Sequence, residues 1–137
     1  MPLGKSAPVK KKILIVDDSP VNLRLLEKIL SRVGYETIQA TNGADAFRAA
    51  KGNQPDLIIL DIAMPGIDGL QAASLLRNDL TTKNIPIIFA SSLIKKNQKR
   101  KKKAFPGSSF LPKPYNKTIL LREIREHLAD SLPHPAN

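Results

Sequence analysis

The chain contains no cysteine, which excludes disulfides, zinc–thiolate sites and thiol nucleophiles. No apolar run approaches the roughly 20 residues needed to span a bilayer. Met1-Pro2-Leu3-Gly4-Lys5 lacks the apolar core of a signal peptide, so a cytoplasmic location is expected. Neither G-x-G-x-x-G nor a P-loop occurs, which argues against a nucleotide-binding Rossmann module, and no helix-turn-helix pattern is visible. Acidic side chains are few, with 12 Asp and Glu against 22 Lys and Arg, and the formal net charge is +10. That excess is very unevenly placed. Seven of the charges are Lys95, Lys96, Lys99, Arg100, Lys101, Lys102 and Lys103, and a smaller cluster is Lys10, Lys11 and Lys12.

What is present suits one soluble domain: 137 residues, 42% hydrophobic and 25% charged. Two fully apolar runs rich in β-branched residues, Ile13-Leu14-Ile15-Val16 and Leu57-Ile58-Ile59-Leu60, read as strands buried on both faces, as in a parallel sheet covered by helices. Glu36 to Ala40 is a weaker, alternating strand. Ile85 to Ala90 is a fourth, with Pro86 tolerable near its start, and Phe110-Leu111 is a short fifth.

Between the strands lie helical patterns. Ser19 as N-cap and Pro20 at the first helical position open one, which carries Leu23, Leu26 and Leu30 with Leu25, Ile29 and Val33 and stops at Gly34. A second follows Asn42-Gly43 to Gly52. A third, after Asp68-Gly69, carries Leu70, Ala73, Leu75 and Leu76. The last has Ile119 or Leu120, Leu121, Ile124 and Leu128 on one side. The alternation predicts an α/β, doubly wound, five-stranded parallel sheet, flavodoxin-like and flanked by five helices. Residues 1–11 read as a disordered lead-in, 12–130 as the domain and 131–137 as a frayed tail.

In such a sheet functional groups gather outside the carboxyl ends of the strands, where strand order reverses. Asp17 and Asp18 close the first strand and Asp61 the third, so a strand order of 2-1-3-4-5 makes them neighbours. Ser91 and Ser92 end the fourth strand, and Lys113 the fifth. Clustered carboxylates repel one another and need a cation, and hard oxygen ligands suit Mg²⁺. A carboxylate can also act as a nucleophile towards phosphorus, and a metal, an ammonium and a hydroxyl then neutralise the transferred group.

The ordered set Ile13-Leu14-Ile15-Val16-Asp17-Asp18-Ser19, Leu60-Asp61 with Met64-Pro65 and Asp68-Gly69, Pro86 to Ser92, and Phe110-Leu111-Pro112-Lys113-Pro114 resembles the receiver domain of two-component response regulators. The likeness covers roughly residues 12–130. It implies that Asp61 is the phosphoacceptor, that Asp18 ligates Mg²⁺ (or Mn²⁺) directly, and that Asp17 acts on the metal, often through water. The backbone carbonyl of Ala63 completes the coordination. By the same resemblance Ser91 and Lys113 bind the phosphoryl group, with a cis Lys113–Pro114 bond. Small Ser92 leaves the site accessible, and Phe110 is the aromatic switch partnered with Ser91. The implied partner is a histidine kinase or histidine phosphotransfer protein. The implied product is a signalling switch rather than an enzyme, altering the face from the fourth strand to the fifth helix as a monomer or a phosphorylation-dependent dimer. The chain is either stand-alone or a receiver belonging to a larger protein.

Other readings of single residues stand beside these. Asp17 and Asp18 could be helix N-terminal acids, worth ~0.3–1 kcal/mol. His127 and His134 read as bland, one on the outer side of a helix and one in the tail, so neither is a phosphodonor. Asn22 reads as exposed. A haloacid dehalogenase-type phosphatase needs a second aspartate two residues after its nucleophile, and positions 63 and 19 are Ala and Ser.

The lysine segment departs from the family. Between Leu93-Ile94 and Ala104-Phe105 it has no apolar residue, whereas a helix covering a sheet needs an apolar stripe. Like-charge pairs at helical spacing each cost ~0.2–0.5 kcal/mol. The fourth helix is therefore expected to be short, loosely packed or mobile. Its basicity suits an acidic protein partner or nucleic acid, bound independently of phosphorylation, or simply a solvated face. No aromatics interleave the lysines for base stacking.

Overall fold

The computed structural model describes residues 10–64, 68–91 and 108–130. In chain order they form β1 (Lys12–Val16), α1 (Pro20–Arg32), β2 (Glu36–Ala40), α2 (Gly43–Asn53), β3 (Leu57–Asp61), α3 (Gly69–Arg77), β4 (Ile87–Ser91), β5 (Ser109–Pro112) and α4 (Lys117–Asp130). All strand pairs are parallel, in the order β2-β1-β3-β4-β5. The expected fourth of five helices, with Ser92 and the lysine segment, lies outside the described residues. Among the described residues no helix is long and apolar enough to cross a membrane.

Strand pleating divides each central run between two cores. Leu14, Val16, Ile58 and Leu60 face α2 and α3, whereas Ile13, Ile15, Leu57 and Ile59 face α1 and α4. Burial on both faces is why β1 and β3 read as unbroken apolar runs, and the edge strand β2 alternates because it is only half covered.

Local signals set the ends of α1. Ser19 Oγ accepts from the Asn22 N–H at 3.3 Å, with Pro20 at the start of the helix. At the other end Gly34 has φ +99°, and the N–H groups of Tyr35 and Gly34 bond back to the carbonyls of Leu30 and Ser31. This is the paired closure that a left-handed glycine permits.

Five sequence expectations shift. Leu25 and Val33 are 42% and 49% exposed rather than packed, because the buried stripe of α1 is Leu23, Leu26 and Leu30 alone. Likewise Leu75 is 41% exposed, and α3 packs instead through Ala72, Ala73 and Leu76. Helix α2 runs past Gly52 and ends where Gln54 takes a left-handed φ of 48°. Strand β4 starts at Ile87, since Pro86 has no N–H to give, although its carbonyl still accepts from Ile58 at 3.0 Å. His127 is not on an outer face: its Nε2 lies 2.8 Å from Ser109 Oγ and ties α4 to β5.

Candidate functional site at the carboxyl edge of the sheet

The parallel ladder carries each site residue to the same edge. Asp17 extends β1 by one step, its N–H bonding the Ala40 carbonyl at 3.2 Å, so its side chain is fully buried. Asp61 is the last residue of β3 and Ser91 the last of β4, and both are buried. Lys113 follows β5, where its N–H bonds the Ser91 carbonyl at 3.0 Å, and the Lys113–Pro114 bond is cis. Asp18 is exposed beside them.

The side chains converge. Lys113 Nζ bridges two carboxylates, 2.9 Å from Asp17 Oδ2 and 3.1 Å from Asp61 Oδ2. Carboxylate oxygens of Asp17, Asp18 and Asp61 lie within 4.8 Å of one another. The Ala63 N–H donates to Asp61 Oδ1 at 3.3 Å, and the Ser19 N–H to Asp17 Oδ1 at 2.9 Å.

Burial pushes the Asp61 carboxyl above the usual carboxylate range, against the pull of Lys113 and with Asp17's charge adding to the rise. Burial also works against the Lys113 ammonium, but its bonds to Asp17 and Asp61 hold it above the ordinary lysine value. Three carboxylates with one ammonium, which bridges only Asp17 and Asp61, remain short of positive charge, and a small, hard divalent cation supplies it. The donor set, all oxygen and open to solvent at Asp18, fits Mg²⁺.

Around this cluster the backbone is tightly packed. A Cβ on Gly69 would stand 2.1 Å from the Asp61 carbonyl oxygen and 2.7 Å from Ile62 Cα. The start of α3 therefore rests directly on the chain that leaves β3, fixed by the Gly69 N–H to Ile62 carbonyl bond at 3.0 Å and by a capping box between Asp68 and Gln71. Met64 is buried in the core under α2 and α3 and anchors the loop. Phe110 is buried and stacked on Phe89, ring centroids 5.1 Å apart at 20°. The two rings are directly paired across β4 and β5.

Two residues join the site that the sequence did not single out. Asn22, read there as exposed, is half-buried and donates from Nδ2 to Asp17 Oδ2 at 3.1 Å. Its place one turn into α1 was the available signal, since an amide there overhangs the end of β1. Tyr115, two residues past Lys113, buries its hydroxyl without a hydrogen-bond partner among the described residues. Burial, then the charges of Asp17 and Asp61, push that phenol up and keep it neutral. An orphaned buried hydroxyl costs roughly 1–3 kcal/mol. Tyr115→Phe is therefore expected to raise stability by about 1 kcal/mol in chemical denaturation, and an unchanged or lower midpoint would show that the hydroxyl is satisfied.

Comparison with known proteins gives the family. Residues 13–125 match the family described as response regulator receiver domain, and the chain belongs to that family. Protein PilH of Pseudomonas aeruginosa is 36% identical over 118 residues, covering 86% of this chain and 98% of PilH. The chemotaxis protein CheY4 of Vibrio cholerae superposes with a TM-score of 0.82 at 29% identity, covering 88% of this chain and all of that one. The receiver domain of the sensor histidine kinase PA1611 of P. aeruginosa, solved with a magnesium ion coordinated in its active-site cleft, gives a TM-score of 0.80 at 26% identity, covering 88% and 99%. The class is thus a signalling domain of two-component systems.

Proposed function

We propose that the protein is a phosphorylation-dependent switch that accepts a phosphoryl group from phosphohistidine onto Asp61. The observation that carries this reading is the single Lys113 ammonium shared between Asp61 and Asp17 at the mouth of the sheet, with Asp18 open to solvent beside them. An Asp61 oxygen attacks phosphorus, the P–N bond to the donor imidazole breaks, and the imidazole takes up a proton. No general base is needed, because the nucleophile is already an anion.

Asp17, Asp18 and Asp61, with the Ala63 carbonyl, would hold Mg²⁺ (or Mn²⁺). When bound, the cation offsets charge on the phosphoryl oxygens. Lys113 turns from the carboxylates to the phosphoryl group, and the Ser91 hydroxyl donates to it. Ser92, which the resemblance makes the small residue that keeps the phosphoryl group accessible, lies outside the described residues. Movement of Ser91 is read by Phe110. Lacking a hydroxyl, this ring gains nothing from water, and its apolar area favours the inward position that it holds against Phe89. The change is passed to the face from β4 to α4. A histidine kinase or histidine phosphotransfer protein supplies the phosphoryl group.

Incubation with acetyl phosphate tests this by intact mass. One added phosphoryl group is expected with Mg²⁺ and none with the cation chelated; no gain in mass under either condition would overturn the reading.

A further inference from the structure

We propose that Asn22 is a positioning residue for Asp17, the donor that keeps this carboxylate in place when Lys113 turns to the phosphoryl group. The inference rests on the function proposed above.

Asp17 is fully buried, and three donors serve it. Its Oδ1 accepts from the Ser19 N–H at 2.9 Å, and its Oδ2 accepts both from Lys113 Nζ at 2.9 Å and from Asn22 Nδ2 at 3.1 Å. Lys113 is already divided, with its second contact on Asp61 at 3.1 Å. Once Asp61 carries a phosphoryl group, new negative charge lies beyond the old carboxylate, and the flexible lysine follows it. A buried carboxylate left with one backbone donor would then be free to rotate away, and its use to the cation is lost.

Asn22 does not share that freedom. It sits in the first turn of α1, with its own N–H held by the Ser19 cap, so the amide is placed by the helix and not by a moving loop. A carboxylate only accepts, so the amide nitrogen is the end that must face it. Being neutral, the amide orients Asp17 without cancelling the charge that the cation needs. Partners of this kind, one bond behind a metal ligand, typically govern affinity by about 10–100-fold.

The test compares two states of the full chain carrying Asn22→Ala or Asn22→Leu, neither of which can donate to Asp17. Mg²⁺ affinity is measured by calorimetry in the free protein and again with beryllofluoride as a phosphoryl mimic. Alanine and leucine are good helix formers, so melting temperatures should stay near that of the parent. The expected result is a loss of about twofold in the free protein, where Lys113 still holds Asp17, and of about tenfold or more with beryllofluoride bound. Equal losses in both states, a loss in only one variant, or no loss in either overturns the assignment of Asn22 while leaving the switch intact. Failure of the unmutated protein to bind beryllofluoride overturns the proposed function, and this inference with it.

Discussion

Gly69→Ala is expected to destabilise the protein by about 3 kcal/mol and to disable the phosphoryl site at the same time. The added methyl would meet the Asp61 carbonyl oxygen at 2.1 Å and Ile62 Cα at 2.7 Å. Both are backbone atoms and cannot swing aside as a side chain could. Relief requires α3 to lift from the end of β3, which strains the Gly69 to Ile62 hydrogen bond and displaces the residue whose carboxylate is the proposed acceptor. Overpacking against rigid neighbours costs typically 1–3 kcal/mol or somewhat more. Gly52→Ala is the control: it is helical, with nothing within 4 Å of its Cβ position, and alanine there should gain about 0.5–1 kcal/mol. Urea unfolding of the two variants separates them. A Gly69→Ala protein as stable and as readily phosphorylated as the parent would show that the close approach is not maintained in solution.

Lys113→Met carries the second large effect. Removing the ammonium leaves Asp17, fully buried, and Asp61, nearly so, facing each other with one cation fewer. Breaking a buried ion pair from one side costs roughly 3–5 kcal/mol, and the low end is expected at a sheet edge that water can reach. The deficit should depend on pH in a defined direction. Asp61 is already raised above the ordinary carboxylate value by burial, and losing Lys113 raises it further. A carboxyl that binds its proton more tightly folded than unfolded contributes most below its unfolded value and loses that contribution as pH rises through its folded one. The variant should therefore lie closest to the parent in acid and furthest from it at neutral pH. Mg²⁺ at millimolar concentration should recover part of the loss, because it binds the folded state alone. A deficit that grows on acidification, or none at neutral pH without divalent cations, would contradict the bridging role of Lys113.

The parallel sheet was readable because its central strands are buried on both faces, so β1 and β3 appear as apolar runs closed by acids, and the strand order then places those acids together. What the sequence could not convey is what a side chain touches after packing. Helical spacing grouped Leu25 and Val33 with Leu23, Leu26 and Leu30, although only the last three face the sheet. The same spacing marked Asn22 as outward, whereas its amide reaches across the turn to Asp17. His127 looked solvent-facing until β5 supplied Ser109. Gly69 stood in a recognisable turn motif, but the lack of room for a Cβ there, against the backbone of Asp61 and Ile62, depends on how α3 is set down, a tertiary fact with no periodic signature. The lysines at 95–103 lie outside the described residues, so the expectation of a short or loosely packed helix there stays an expectation.

The most direct measurement is the position of the phosphoryl group. The protein is treated with acetyl phosphate and Mg²⁺, the acyl phosphate is reduced with borohydride, and the altered residue is mapped by peptide mass beside an Asp61→Asn control. Modification at Asp61 alone, dependent on Mg²⁺ and absent from the control, is the predicted result; modification at another residue, or uptake undiminished in Asp61→Asn, would contradict the account.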